Sequence, residues 1–236
     1  MTPGTLFLIP TTLGATALAA VVPAEVQLRA RTLEYFVAEN PKTARAYLKQ
    51  LGTAKPLQAL HIATLNEHTP EGAIAGLAAP LLAGHDLGVL SEAGCPAVAD
   101  PGAKLVLYAH RHGIRVVPLV GPSSILLALM ASGLNGQRFA FHGYLPVAEV
   151  EREKALRELE KESRRLTQTQ IFIETPYRNQ KLVASLLAAC AGNTLLCVAA
   201  DLTLPEEDIR TMTVAAWKRH PPQIDRRPAL FLLLAA

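Results

Sequence analysis

The sequence predicts an α/β protein of two lobes, and three observations support this. Short apolar runs alternate with amphipathic stretches along most of the 236 residues, which is typical of strands alternating with helices. Several predicted helices are followed at once by glycine, the residue that most often ends a helix. The chain changes character near residue 145, because 12 of the 17 residues from 149 to 165 are charged. We therefore expect one α/β lobe over residues 1–143 and a second over residues 144–236.

In the first lobe, five apolar runs have the length and composition of buried strands. They lie at residues 5–9, 33–38, 86–90, 115–120 and 139–142. Amphipathic patterns predict helices at residues 43–52, 73–83, 104–112 and 123–132, and Gly52, Gly84, Gly113 and Gly133 are their stop signals. A loop and a short helix are expected after the first strand.

The second lobe is predicted to begin with a long charged helix over residues 149–165. Its leucines at 156, 159 and 166 form a narrow apolar seam at helical spacing. We expect the rest of that helix, with Arg152 and Lys154, to face solvent. The remaining elements are predicted as a strand at 170–174, a helix at 179–190, a strand at 195–199, a helix at 206–210 and a strand at 229–234.

Composition excludes several classes of protein. Half of the residues are apolar and 18% are charged, which excludes a disordered chain. The formal net charge of +3 is spread evenly, with 10 basic and 8 acidic residues over 1–145 and 13 and 12 over 146–236. Neither half is the strongly basic body of a protein that grips nucleic acid mainly through phosphates, although a local basic patch is compatible with a balanced total.

Three cysteines, Cys95, Cys190 and Cys197, have no C-x-x-C spacing, so neither a disulfide framework nor a metal site is predicted. A reducing cytoplasm suits such a chain. The first apolar run is interrupted by Pro10 and Gly14 and has no preceding Lys or Arg. That pattern matches neither a signal peptide nor a membrane span, so we expect a soluble cytoplasmic protein.

The segment S-E-A-G-C-P-A-V-A-D-P-G, residues 91–102, is the strongest candidate for a ligand-binding loop. It follows an apolar strand and opens onto a helix, which is how open α/β sheets build sites at their carboxyl edges. A βα connection usually needs only two to six residues, and this one has twelve. Its glycines allow close approach of a ligand to the backbone.

Two further loops have the same strand-to-helix position. Residues 120–124 read V-G-P-S-S, where one serine suffices to cap the following helix. Residues 175–178 read T-P-Y-R and follow the strand predicted at 170–174. Amide groups at helix starts also receive anionic or hydroxyl groups of ligands.

Taken in order, five motifs resemble the tetrapyrrole methylase superfamily of S-adenosylmethionine (SAM) methyltransferases. They are S-E-A-G-C-P-A-V-A-D-P-G from residue 91, V-P-L-V-G-P-S-S from 117, A-S-G-L from 131, F-H-G-Y-L-P from 141 and E-T-P-Y-R-N from 174. The resemblance is strongest to the branch that includes bacterial 16S rRNA cytidine ribose 2′-O-methyltransferases. It implies a homodimer with SAM in the cleft between the two lobes of each chain. No G-x-G-x-x-G occurs, in agreement with a cofactor held largely by backbone groups.

The resemblance also implies roles for particular residues. The implied SAM contacts are Leu90, Ser91, Glu92, Ala93, Gly94, Ser123, Ser124, Ile173, Glu174, Thr175, Asp201, Pro228 and Ala229. Four residues are expected to border the methyl acceptor, namely His142, Tyr144, Tyr177 and Arg178.

The candidate catalytic bases are Glu39, Glu92 and Asp100. A ribose hydroxyl is a poor nucleophile until its proton leaves, so a positioned base speeds its methylation. Other roles are open for each: Glu39 can pair with Lys42, Glu92 can orient its loop or pair with the SAM ammonium group, and Asp100 can stabilise the turn before Pro101.

The sequence departs from the rRNA branch on the acceptor side. That branch carries a G-N-L-G-D-like segment after the first strand and an E-D-T-R loop after the second. Here residues 10–15 read P-T-T-L-G-A and residues 38–43 read A-E-N-P-K-T, which keeps only Glu39. The predicted function is therefore SAM-dependent methylation, with rRNA as the first candidate acceptor. The alternatives are a tetrapyrrole-like small molecule and a non-catalytic SAM-binding protein.

Overall fold

A computed structural model describes residues 2–235. These residues form two compact units, the first ending at Ser123 and the second beginning at Ser124. Each unit contains one five-stranded sheet with its own helices and its own hydrophobic core. The prediction of two α/β lobes is thereby confirmed.

The first unit is a parallel sheet of order β3-β2-β4-β1-β5. Its strands are β1 (Leu6–Ile9), β2 (Tyr35–Ala38), β3 (His61–Thr64), β4 (Leu87–Leu90) and β5 (Val116–Pro118). Its helices are α1 (Leu18–Val21), α2 (Ala24–Arg31), α3 (Pro41–Leu51), α4 (Ile74–Leu77), α5 (Ala79–Leu82) and α6 (Ala103–Arg111). Short 3-10 turns lie at Leu57–Ala59 and Glu71–Ala73.

Strand order places the ligand-binding edge of this sheet. The connection from β1 to β2 crosses over β4, and the connection from β4 to β5 crosses over β1 in the opposite direction. Because such crossovers are right-handed, the two connections run over opposite faces. Accordingly, α1–α3 pack on the face that carries Ile9 and Phe36, and α4–α6 pack on the face that carries Leu6 and Val89. The carboxyl ends of β1 and β4 are therefore the point where open sheets bind ligands.

The second unit is a mixed sheet of order β6-β7-β10-β8-β9. Its strands are β6 (Phe139–Tyr144), β7 (Thr169–Ile173), β8 (Leu195–Ala200), β9 (Asp208–Thr213) and β10 (Ala229–Leu234). Its helices are α7 (Ser124–Ser132), α8 (Glu149–Leu166), α9 (Asn179–Ala189) and α10 (Val214–Arg219), with a 3-10 turn at Pro176–Arg178. Strands β6 and β7 are parallel, and the other pairs are antiparallel.

The core of the second unit lies between one face of this sheet and helices α8, α9 and α10. Trp217 is fully buried there, and its indole N–H donates to the Leu196 carbonyl at 2.8 Å. Phe172 and Phe231 stack at 6.0 Å between ring centroids. Helix α7 packs against β9 and β10, where the Thr211 hydroxyl donates to the Ser132 carbonyl at 2.7 Å.

The division between the units falls earlier in the chain than the predicted boundary at 143/144. Strand β6 pairs with β7, and α7 packs on β9 and β10, so both elements belong to the second unit. The charged segment at 149–165 marks the start of α8, which follows β6 within that unit.

The helix predicted at residues 206–210 is wrong, because β9 runs from Asp208 to Thr213 and pairs with β8. Tertiary pairing overrides the weak local preference of so short a segment. The helix predicted at 73–83 is interrupted between α4 and α5, because Pro80 has no N–H to donate to the preceding turn. Strand β3 and helix α10 were not predicted.

The long charged helix was predicted to be solvated outside its leucine seam, and this is wrong for two side chains. Arg152 is buried and donates to the Ser185 hydroxyl at 2.9 Å and to the Val147 carbonyl at 2.7 Å. Glu160 is also buried and accepts hydrogen bonds from the Thr194 hydroxyl and the Ala191 amide. Complete hydrogen bonding is what allows charged groups to be buried.

Candidate functional site

Three loops meet at the carboxyl ends of β1, β4 and β5. The Thr11 amide donates to the Gly94 carbonyl at 2.9 Å, and the Ser91 hydroxyl donates to the same carbonyl at 2.9 Å. The Cys95 thiol donates to the Pro122 carbonyl at 3.4 Å. These bonds hold the backbone of residues 91–95 against both neighbouring loops, and residues 91–94 are the ones predicted to contact SAM.

Two glycines allow this close approach. A Cβ atom on Gly121 would lie 2.2 Å from Cγ of Pro10, well inside van der Waals contact. Gly94 has φ +71°, and a Cβ atom there would lie 3.1 Å from Cδ2 of Leu13. Both positions therefore require glycine, one for space and the other mainly for conformation.

Gly121→Ala is expected to lower the free energy of unfolding by about 1–3 kcal/mol, as overpacking of a close contact does. The added methyl must push the loop after β5 away from Pro10, so SAM affinity should fall as well. Gly76→Ala is the matched control, because nothing lies within 4 Å of its added Cβ in helix α4. Thermal unfolding and calorimetric titration with SAM measure both effects, and equal behaviour of the two variants would contradict the packing argument.

The acidic residues of this edge lie close enough to affect one another. Burial raises the pKa of Glu39, and the carboxylates of Asp100, Glu92 and Glu67 raise it further. Glu39 follows the last residue of β2, and β2 is the neighbour of β4. No ion pair joins Glu39 to Lys42 within the described residues, so the surface-pair interpretation of Glu39 is not supported.

Asp100 and Glu92 have defined partners. The Asp100 carboxylate accepts from the Gly102 amide at 2.7 Å and from the Ala97 amide at 3.1 Å, which is the turn-stabilising role weighed for it. Glu92 is exposed, and its carboxylate lies 2.6 Å from the Thr43 hydroxyl at the start of α3. Asp100 is thus occupied by its own loop, whereas Glu92 remains accessible to a ligand.

A pocket of about 240 Å³ lies beside Glu92. It is lined by Thr11, Thr12, Thr43, Ala44, Ala46, Tyr47, Gln50, Leu90, Ser91 and Glu92. Burial raises the pKa of Tyr47 to about 12, so its hydroxyl stays protonated and donates to the Pro10 carbonyl at 2.9 Å. The hydroxyl and amide groups of Thr12, Thr43 and Gln50 were not singled out from the sequence, where no motif links helix α3 to the loop after β4.

In the second unit, another set of predicted residues shares one sheet edge. Strands β6 and β7 end side by side, with Tyr144 opposite Ile173. Strand β10 begins there, because it is antiparallel and pairs Leu230 with Ile173. Strand β8 ends at the same edge, where Ala229 is opposite Ala200. The loops at 174–178 and 201–207 and the residues before Ala229 therefore lie together.

A buried ion pair fixes the first of these loops. Glu174 is 5% exposed, and its Oε1 accepts from Nε and from a terminal nitrogen of Arg178 at 2.9 and 2.7 Å. The same oxygen accepts from the Thr175 amide at 2.7 Å. This carboxylate raises the pKa of Arg178, so the guanidinium stays charged.

Asp201 and Pro228 are joined through their backbones, since the Asp201 amide donates to the Pro228 carbonyl at 2.9 Å. The Asp201 carboxylate accepts from Nε of Arg227 at 2.5 Å. Its φ of +51° places it in the left-handed region, which Asp and Asn tolerate better than most residues. Asp201 thus holds two loops together through both its backbone amide and its carboxylate.

The residues predicted to border the acceptor differ in their surroundings. His142 is exposed on β6, and its Nε2 lies 2.6 Å from Oε1 of Gln170. Tyr144 and Tyr177 are 58% and 69% exposed, and the Arg178 guanidinium lies 5.5 Å from the Tyr177 ring centroid. The edge of the second sheet therefore presents two accessible aromatic rings and one fixed cation.

Within residues 2–235, no group of three or more His, Cys, Asp or Glu side chains is arranged to hold a metal ion. The same residues contain no helix with the length and apolarity needed to cross a membrane. All three cysteines are free, and burial raises the pKa of each thiol, that of Cys190 to about 12.

Fold and site together define an α/β protein whose candidate ligand-binding groups lie at the sheet edge of each unit. The family model of the Tetrapyrrole (Corrin/Porphyrin) Methylases matches residues 6–217. The chain belongs to this family and is a SAM-dependent methyltransferase, which confirms the prediction of function class and cofactor.

Several curated relatives carry the name Ribosomal RNA small subunit methyltransferase I. The protein of Xylella fastidiosa is 34% identical over 214 residues, which cover 91% of this chain and 74% of the relative. The protein of Mesorhizobium japonicum is 36% identical over 201 residues, 84% of this chain and 65% of the relative. The crystal structure of the methyltransferase CobJ has the same fold, with a TM-score of 0.65 at 17% identity over 99% of this chain and 95% of that one.

Each unit, taken by itself, carries groups that suit a part of SAM. The accessible Glu92 carboxylate suits an ammonium group, and the serine hydroxyls at 123 and 124 suit polar groups. Gly94 keeps the loop backbone free of a side chain beside Leu13. Backbone groups at Ile173, Thr175 and Ala229 are grouped at one edge by the strand register.

Proposed function

We propose that this methyltransferase modifies small-subunit ribosomal RNA, at a ribose hydroxyl. Two relatives at 34% and 36% identity bear the name of that activity. The structural observation that supports RNA as the methyl acceptor is the pair of exposed rings, Tyr144 and Tyr177, beside the fixed Arg178. Single-stranded bases stack on such rings, and guanidinium groups pair with phosphate.

SAM supplies a methyl group on a sulfonium, ready for in-line displacement. We propose that it is bound by the residues that the sequence resemblance implied: Leu90, Ser91, Glu92, Ala93, Gly94, Ser123, Ser124, Ile173, Glu174, Thr175, Asp201, Pro228 and Ala229. Glu174 and Asp201 contribute mainly by fixing their loops, since both carboxylates are engaged by arginines.

We propose Glu39 as the base that takes the proton of the acceptor hydroxyl. Its raised pKa makes it a stronger proton acceptor than an ordinary glutamate. Glu92 is another candidate base. It contacts Thr43 and lines the pocket, so a role in binding the cofactor or acceptor suits it better than a role as the base. His142 is included on the acceptor side through its position two residues before Tyr144.

We also propose a cytoplasmic homodimer. Reduced cysteines and an rRNA acceptor suit the cytoplasm. Helix α7 exposes apolar side chains four residues apart, with Met130 80% and Leu126 51% exposed, and such pairs lie on one helix face. This face is the candidate contact between two copies.

Met130→Lys is expected to shift the protein from dimer to monomer, because it places a charge in the apolar contact. Light scattering coupled to size exclusion measures the mass. Val150→Lys is the control, since Val150 is 82% exposed at the start of α8. A dimer that resists Met130→Lys would exclude this face, and a monomeric wild type would exclude the homodimer.

The acceptor is tested by incubating the protein with SAM labelled in the methyl group and with small ribosomal subunits that lack the modification. Label in the rRNA, released as a 2′-O-methylated nucleoside, is the expected result. Label only in a tetrapyrrole-like compound would replace the RNA acceptor with a small molecule. SAM binding without transfer to either would indicate a binding protein.

A further inference from the structure

A basic loop, defined as residues 218–228, begins with the last two residues of helix α10 and ends beside the site described above, where Arg227 bonds Asp201. It reads K-R-H-P-P-Q-I-D-R-R-P and contains four Lys or Arg residues and one Asp. The chain as a whole has 23 basic and 20 acidic side chains. Positive charge is therefore concentrated here in a protein that is otherwise nearly balanced.

The basic loop is fixed to helix α9 by its own inner residues. Asn179 Nδ2 donates to the carbonyls of Ile224 at 3.2 Å and Arg227 at 2.6 Å. Pro222 and Ile224 are buried between exposed neighbours. The loop thus presents its outer side chains from a rigid frame, which lowers the entropy lost on binding a partner.

One of its arginines is used internally, and the others are not. Arg227 donates to the Asp201 carboxylate and to the carbonyls of Gln223 and Glu206. Lys218, Arg219 and Arg226 are exposed, and none has an acidic partner within 4 Å in the part of the chain that the structure describes. Exposed cations without an acidic partner are the groups that bind phosphates.

The basic loop lies next to the proposed acceptor edge. The Arg226 amide donates to the Pro176 carbonyl at 3.2 Å, and Pro176 precedes Tyr177 and Arg178. Arg226 therefore lies beside the loop that carries the exposed ring of Tyr177, and Lys218 and Arg219 lie further along the same segment. A strand whose base stacks on that ring would continue past Arg226.

We propose that the basic loop binds the phosphodiester backbone of the RNA acceptor beside the methylated nucleotide, an inference that rests on the proposed function. Charge and shape favour RNA over a lipid surface, because the apolar residues Pro222 and Ile224 are buried and membrane-surface segments need an exposed apolar face. A protein partner is less favoured, since protein interfaces are built around apolar and aromatic anchors.

The test compares two double variants of the full chain, Lys218→Gln with Arg219→Gln, and Lys154→Gln with Lys161→Gln as the control on α8. All four side chains are exposed, and both doubles remove two positive charges. Binding of a labelled single-stranded RNA is measured by anisotropy over a series of KCl concentrations. Calorimetry with SAM verifies that each variant is folded.

The loop double should reduce the slope of log affinity against log salt by about 1.5, since each lost phosphate contact removes about 0.7–0.9. The control double should keep the wild-type slope, and Arg226→Gln should lower the slope by about half as much as the loop double. Equal slopes for both doubles, or binding of anionic vesicles in preference to RNA, would overturn the inference. If the wild type methylates rRNA but the loop double has the same salt slope as the wild type, the loop does not bind RNA and the proposed function still stands. If the loop double weakens RNA binding but the wild type does not methylate rRNA, the loop binds RNA and the proposed function is wrong.

Discussion

Glu39→Gln is expected to lower kcat for RNA methylation by about 10²- to 10⁴-fold, the usual contribution of a positioned base. The amide keeps the size of the side chain but accepts no proton, so the acceptor hydroxyl must lose its proton to water. SAM affinity should be unchanged, because Glu39 is not among the residues proposed to contact the cofactor. Single-turnover methyl transfer and calorimetry measure the two quantities separately.

The pH dependence gives an independent readout of the same residue. Burial and three neighbouring carboxylates raise the pKa of Glu39, so the rate should increase as pH rises through that raised value and then level off. Glu39→Gln should abolish this rise. Glu67→Gln is the matched control, since it keeps the base and moves the profile to lower pH by removing one neighbouring charge.

The raised pKa of Glu39 also affects the stability of the folded protein. The folded protein binds the Glu39 proton more tightly than the unfolded chain, so this stabilisation is present below the unfolded pKa and is lost as pH rises through the folded pKa. Glu39→Gln should therefore increase the free energy of unfolding at neutral pH, measured by urea denaturation. A variant that is less stable at neutral pH, or one that retains wild-type kcat, would contradict the role of Glu39.

Arg178→Met should reduce the free energy of unfolding by about 3 kcal/mol, because it leaves the buried Glu174 carboxylate without its counter-charge. The guanidinium makes two hydrogen bonds to that carboxylate. RNA affinity should fall as well, since the variant removes the cation beside Tyr177. Urea denaturation and anisotropy with labelled RNA measure these effects.

Arg157→Met is the matched control for this pair. Arg157 also bonds a glutamate four residues away in sequence, Glu153, but the pair is exposed, so its loss should cost only about 0.3–0.5 kcal/mol. Adding Glu174→Gln to Arg178→Met should recover part of the lost stability, because no buried charge then remains unpaired. An effect of Arg178→Met as small as that of Arg157→Met would show that the pair does not hold the loop.

Much of the fold could be predicted because local signals and tertiary packing agree. Gly52, Gly84, Gly113 and Gly133 follow predicted helices, and each has positive φ, which few other residues adopt at low cost. Strand β9 was missed because its pairing with β8 comes from tertiary contacts that a six-residue segment does not encode. The burial of Arg152 and Glu160 was missed for a similar reason, since their partners Ser185 and Thr194 lie far along the chain.

The candidate site could be predicted only where its residues lie together in one loop of the sequence. The loop at 91–102 was visible from its length and composition, and the structure places it at the junction of three loops. The pocket beside it combines Thr12, Gln50 and Glu92, which are brought together by the strand order β2-β4-β1. Sheet order is a long-range property, so no local pattern could link helix α3 to that loop.

Methyl transfer itself tests the proposed function most directly. The purified protein would be incubated with methyl-labelled SAM and unmodified small ribosomal subunits, and the rRNA would then be digested to nucleosides. We expect label in a single 2′-O-methylated nucleoside, formed much more slowly by Glu39→Gln. Absence of label from the rRNA, with SAM bound by the same preparation, would contradict the proposed acceptor.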